Sequence, residues 1–312
     1  MDDDDVSARH SVETEPWVAD TPAAVRARAN RWIASGALTS LVAELGGPSE
    51  SAAVSDLMAW SETTLDTRGG RERHEVEPLT WTPQWIDALI AAGEPLGMMK
   101  TPDPQRPSYD ATVILGGTAL GNRLRMQLAA ELGRGGIGLG TLVVLTADRP
   151  LTGNERAHAA RGEQTESENA LRNLRDEFGP LSSTGPVLTV NGGRDQAFTT
   201  DNGRAARVLV ACPPAGAGSA RASTVDAVRF ALNRIAVGQR EHVLALSSAI
   251  YVPFQFFRAA PLLLSTGTRY VELVGTPTAA TADRRRLAQR IAQETHAAIH
   301  AAADILRAIP SA

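Results

Sequence analysis

Glu155 and Tyr251 are the two residues of this 312-residue chain that combine acid–base capability with a place just beyond a strand-like run. A carboxylate there would orient a hydroxyl or take a proton. A phenol, with an ordinary pKa of about 10, would donate a proton or a hydrogen bond and would be a poor base without nearby cations. Arg123, Arg149 and Arg221 also follow strand-like runs. Three guanidiniums converging on one cleft would bind phosphate or carboxylate through paired hydrogen bonds. The competing reading is surface arginine: Lys100 is the single lysine among 31 basic residues, the signature of a high-GC bacterial genome.

The run Gly116-Gly117-Thr118-Ala119-Leu120-Gly121-Asn122-Arg123 is the loop most suited to an anion. Two glycines permit a tight turn, and the N–H groups of the helix that follows would face the ligand, with Asn122 and Arg123 beside them. A dinucleotide fingerprint needs glycine where Thr118 stands, and a P-loop needs Lys-Ser/Thr where Asn122-Arg123 stand, so both are set aside. Ser223-Thr224-Val225-Asp226 has the spacing of a capping box and reads equally as a cap or a ligand contact; Thr165-x-x-Glu168 reads as a cap. Ser247, Ser248 and Gln255 close the set. No Ser/His/Asp triad can be assembled, and Cys212 reads as a small core residue. His296 and His300 are spaced as in a zinc helix but lack its glutamate, and they fall opposite the apolar face of Leu287, Ile291, Ala298, Ala302 and Ile305, which predicts solvent exposure. No metal site is expected.

These residues need a scaffold, and the chain supplies two kinds. Residues 1–20 are acidic and read as a mobile tail, and residues 21–108 as a helical layer or subdomain, with starts at Thr21-Pro22, Ser51 and Thr82-Pro83. All five tryptophans lie in the first 85 residues, the expected filling of that layer's core. After the Pro-rich stretch 101–107, strand-like runs at 111–115, 141–145, 207–211, 242–246 and 270–274 alternate with helical periods. One such period is Leu120, Leu124, Leu128 and Leu132. Residues 109–312 therefore predict an α/β fold, a Rossmann-like parallel sheet flanked by helices with a long C-terminal helix, whose ligands bind beyond the carboxyl ends of the strands.

The order of segments resembles the YdcF/SanA/ElyC-like domain family: a glycine turn with an arginine helix (Gly116, Gly117, Arg123), an acid (Glu155), a Ser/Thr-x-x-acid helix start (Ser223, Thr224, Asp226), then Ser247-Ser248 with Tyr251. The resemblance covers about residues 109–276. Ser223 stands where the family has Asn, and Tyr251 and Gln255 stand where it has His and Arg, so any acid–base role of that His is absent here. The resemblance implies a Rossmann-like fold and a nucleoside-like or phosphorylated ligand, with S-adenosylmethionine as one candidate cofactor.

A net charge of −4 and a pI near 5.9 argue against a nucleic-acid partner, which would call for a basic face. The acidic start and the lack of a span of roughly 20 apolar residues predict a cytoplasmic protein with no membrane partner. The expected function is metal-independent group transfer or bond cleavage on an anionic or nucleoside-like metabolite in bacterial specialised metabolism. The alternatives are a non-catalytic binding module and a scaffold for a protein partner.

Overall fold

The computed structural model describes residues 15–69, 81–157, 159, 162–190, 193–200, 207–215, 222–235, 238, 240–279 and 283–309. Five parallel strands make the centre of the sheet: β2 (Ala111–Ile114), β3 (Thr141–Leu145), β7 (Arg207–Cys212), β8 (His242–Ser248) and β9 (Tyr270–Thr276). All five lie where the sequence predicts, because strands covered on both faces are written as unbroken apolar runs. Alternate residues divide between the faces. Val113, Leu115, Val143 and Leu145 enter one core cluster, and Ile114, Leu142 and Val144 the other.

The margins of the sheet are antiparallel. β1 (Trp17–Ala19) pairs with β9, β6 (Gly193–Thr200) pairs with β7, and β4 (Leu181–Ser183) and β5 (Leu188–Val190) both pair with β6, giving the order β1-β9-β8-β2-β3-β7-β6-β4. β1 corrects the reading of residues 1–20 as a mobile tail. Trp17 is 1% exposed, set edge-on against Phe256 and Phe257 under the Arg28 guanidinium, so burial of one indole anchors three residues of an otherwise polar segment. Residues 1–14 lie outside the described residues.

Helices α5 (Ala119–Arg134) and α7 (Glu166–Phe178) cover one face of the sheet, with the short α6 (Gly153–Arg156) between them in sequence. α8 (Thr224–Leu232), α9 (Val252–Ser265) and α10 (Arg284–Ala308) cover the other. The N-terminal helices α1 (Pro22–Ile33), α2 (Gly36–Glu44), α3 (Val54–Thr64) and α4 (Pro83–Gly93) form a further layer on α9 and α10. Thr21 and Thr82 cap α1 and α4 ahead of Pro at the first turn, as the sequence predicts. Trp32 is fully buried, donates to the Leu96 carbonyl at 3.2 Å and meets Phe257, so layer and sheet share one core.

Two helical faces differ from expectation. The first half of the leucine stripe of α5 points away from the sheet: Leu120 and Leu124 are about 40% exposed, while Leu128 and Leu132 pack against the core and Asn122, Arg125, Met126 and Ala129 face inward. On α10 the predicted apolar face is buried, but the opposite face is covered too, because α3 packs on it. His296 and His300 are accordingly half-buried rather than solvent-exposed.

Candidate functional site

β2 is the switch point of the sheet. The chain runs from β2 outward through β3 to β7, then returns to lay β8 on the other side of β2 and β9 beyond it. At such a point the two connecting segments diverge to opposite faces and leave a crevice beyond the strand ends. The Gly116-Gly117 turn occupies that crevice and borders two cavities. The first, about 380 Å³, lies over the ends of β2, β3 and β7. The second, about 800 Å³, lies between α5 and α10 over the ends of β8 and β9, and Gly116, Gly117 and Gln255 line both.

Both glycines are required by what lies against them. A Cβ on Gly116 would stand 3.0 Å from the Leu145 carbonyl oxygen, and one on Gly117 2.8 Å from Arg125 Nη1. Arg125, 1% exposed, is the arginine that builds the turn. Its guanidinium donates to the Leu115 and Gly116 carbonyls and to Ser248 Oγ at 3.4 Å, with the Tyr251 ring 5.8 Å away. Arg123 was the sequence-predicted cation, yet it is exposed and lines neither cavity. Two residues along a helix rotate a side chain by roughly 200°, enough to exchange outside for inside.

Around the first cavity the polar groups are clamped. Arg149 Nη1 and Nη2 donate to the Glu155 carboxylate at 2.7 and 2.6 Å, and Arg149 Nε lies 3.0 Å from Glu166. Glu155 also accepts from the Thr152 amide and hydroxyl as part of a capping box on α6. Burial opposes ionisation of Glu155, but these hydrogen bonds and the Arg149 charge outweigh it and hold the carboxyl down at about 2. Such a carboxylate is a weak base, and it does not line either cavity. The acid–base role predicted for Glu155 thus gives way to a structural one. Asp148 accepts from Ser167 at 2.8 Å and pairs with Arg194 at 3.0 Å, and all these charges sit where β3 and β6 meet the cavity.

The remaining predicted residues divide. Ser223 and Thr224 line the first cavity at the start of α8, where Ser223 Oγ accepts from the Asp226 amide; Asp226 turns along the helix to Arg229 and lines neither cavity. Ser248 and Tyr251 line the second cavity. Ser247 is fully buried and donates to Gln255, so it positions that amide and is no nucleophile. Asn122 is buried beneath the turn, donating to Gly117 and Glu166. Arg221 lies outside the described residues.

Cys212 lines the first cavity with its thiol pushed up by burial to about 11, which keeps it protonated and unreactive. Thr146, missed in the sequence, is 3% exposed at the end of β3 and lines the first cavity, and its hydroxyl has no hydrogen-bond partner among the described residues. Asp148, Glu166, Arg194 and Arg125 were also missed; only for Asp148, a charged residue just beyond the apolar β3, was a local signal available. Among the described residues no group of three His, Cys, Asp or Glu side chains is placed to hold a metal ion, and no helix is long and apolar enough to cross a membrane.

Fold and site together define an α/β protein with a doubly wound sheet, a crevice at its switch point and a helical layer preceding it. Residues 18–97, from within β1 to just past α4, match the family model of the Rv3785 N-terminal domain. The chain is similar to uncharacterized protein Rv3785 of Mycobacterium tuberculosis and uncharacterized protein Mb3814 of Mycobacterium bovis, at 29% identity over 221 residues, 66% of this chain. The match spans 61% of the length of those relatives. No solved structure matches.

Proposed function

We propose that the protein is an enzyme that binds a phosphorylated or nucleoside-like metabolite in the first cavity and acts on it by metal-independent group transfer or bond cleavage. The observation that carries this reading is the crevice at Gly116-Gly117, where the glycine turn, the N-terminus of α8 at Ser223 and Thr224, and the Thr146 hydroxyl, which has no partner among the described residues, border one space. Helix N-termini and tight glycine turns present N–H groups to phosphate or carboxylate. Asp148, beyond the second parallel strand, lines the same cavity and would accept from ribose hydroxyls.

S-adenosylmethionine fits the same donor set, with Asp148 for its ribose and the α8 N-terminus for its carboxylate; when bound it would supply a transferable methyl group. What this chain's own residues do is bind and orient. The clamp of Arg149 on Glu155 and Glu166 fixes the cavity wall before any ligand arrives, which lowers the ordering cost of binding. The locked Glu155 also favours a second reading, a binding module without turnover.

The test is a thermal-shift series with AMP, pyrophosphate, S-adenosylmethionine and S-adenosylhomocysteine. A ligand at one hundred times its Kd adds about 2.7 kcal/mol to the folded state, a readily measured rise in Tm. A rise with at least one of them that Thr146→Val reduces supports the reading. Melting that is indifferent to all four overturns it. A ligand that binds and is never turned over favours the module.

A further inference from the structure

The second cavity has features that the reading above does not use. Its walls are largely apolar, with Leu120 and Leu124 of α5, Phe254 and Pro277 among them, and two side-chain acceptors of α10 border it without a donor among the described residues. One is Gln293, 5% exposed, whose Nε2 donates to Thr67 Oγ1 at 2.6 Å while its Oε1 has no partner among the described residues. The other is His296. Ser61 is fully buried and donates its hydroxyl to the Met58 carbonyl at 2.8 Å, so toward His296, 3.1 Å away, Ser61 Oγ serves as an acceptor. The imidazole proton therefore belongs on Nδ1, and Nε2 carries a lone pair.

We propose that this cavity is a second ligand site, taking a small apolar molecule with a hydroxyl that donates to His296 Nε2. Two unpartnered acceptors in an apolar recess select a ligand that brings donors, and burying its apolar body against the two leucines and Phe254 supplies the affinity.

The charge state suits the role. Burial and the His300 ring, 4.5 Å away on the same helix, lower the His296 pKa, and they outweigh the pull of Asp66 and Glu62 from the α3 side. Arg290 and Glu294 on α10, Arg68 beyond α3, and Arg125 with Tyr251 across the cavity complete the charged and titratable groups around it. The ring is neutral at pH 7 and acts as an acceptor.

The experiment is NMR of the full-length chain with ¹⁵N-labelled histidine, in which His296 is assigned among six histidines by His296→Asn. At pH 7 the neutral Nδ1–H form is expected, and Ser61→Ala should scramble that preference. Added p-cresol should move the His296 Nε2 signal saturably with a Kd of about 1 mM. Leu124→Glu, on an exposed part of the wall, should weaken that binding roughly tenfold by placing a charge against the apolar ring.

An Nε2–H tautomer at pH 7, no saturable shift, or a shift indifferent to Leu124→Glu each overturns the proposal. AMP is titrated in parallel against the Thr146 and Ser223 amide signals, which border the first cavity and not the second. If cresol fails while AMP moves those amides, the second site is wrong and the first stands; the reverse result removes the first and leaves the second.

Discussion

On the β3 side of the Gly116-Gly117 turn the cavity wall is charged and self-paired, Arg149 with Glu155 and Glu166, Arg194 with Asp148. On the β9 side the wall is largely apolar, and its polar atoms include acceptors without donors among the described residues. One edge of one sheet is finished in two ways, and the difference lies in what covers it. β6 and the loop after β3 bring charges of both signs to the first cavity, whereas the outward face of α5, the start of α9 and α10 bring leucine, phenylalanine and amides to the second. A wall of ion pairs is rigid without ligand; a wall of unpartnered acceptors is completed by one.

The largest effect that would sharpen this contrast comes from Arg149→Met. It leaves Glu155 and Glu166, 6% and 2% exposed, without their counterion, and breaking a buried pair from one side costs about 3–5 kcal/mol. Urea unfolding measures it; a loss below about 1 kcal/mol would show that the clamp does not rigidify the first cavity. The same clamp sets an acid limb. The folded Glu155 carboxyl lies at about 2, below its ordinary 4.5, so its contribution is complete above that ordinary value and is lost as pH falls from there toward 2. Stability measured across that range should fall less steeply in Glu155→Gln than in the natural chain.

Gly117→Ala should come next. The added methyl meets Arg125 Nη1 at 2.8 Å and Nη2 at 3.0 Å, and moving that guanidinium strips the Leu115 and Gly116 carbonyls of a buried donor. A loss of about 1–3 kcal/mol is expected, with both cavities disturbed because the turn borders both. If calorimetry found only one ligand affected, the turn would not be the shared element it is taken for.

Thr146→Val separates binding from folding. Its hydroxyl has no partner among the described residues, so stability should change by less than about 0.5 kcal/mol, while AMP affinity should fall roughly five- to tenfold and p-cresol affinity should not move. A stability loss above about 1.5 kcal/mol would mean that the hydroxyl serves the fold instead. The smallest effect belongs to Arg123→Ala. Exposed and away from both cavities, Arg123 should change stability by under about 0.5 kcal/mol and ligand binding not at all. A clear loss of AMP affinity would restore it to the site.

The sheet was legible because its central strands are buried on both faces and so are written as short apolar runs, Thr141–Leu145 being found to the residue. β6 was not, because Gly193–Thr200 carries Arg, Asp and Gln and is held in the sheet by its pairing with β7. Three-residue β1 has no period to detect, and α2 escaped because Ser35 caps a helix inside a run already read as helical. The Thr165–Glu168 capping box was visible as spacing and is present, whereas the one at Thr152–Glu155 was mistaken for a catalytic acid. Capping and catalysis use the same residue types; only the partner of the carboxylate distinguishes them.

Sequence alone determined the alternation of strand and helix, the five parallel strands and the glycine turn that ends the first of them, since local pattern and burial leave a linear record of these. Tertiary structure decided which way side chains face. It turned Arg125 rather than Arg123 into the crevice, faced Leu120 and Leu124 onto a cavity instead of the core, and buried one side of His296 against Ser61. A helix records its own amphipathic period, but which of its sides is covered depends on elements remote in the chain. Here the side of α10 opposite its apolar stripe meets α3, more than two hundred residues earlier, and no local signal carries that contact.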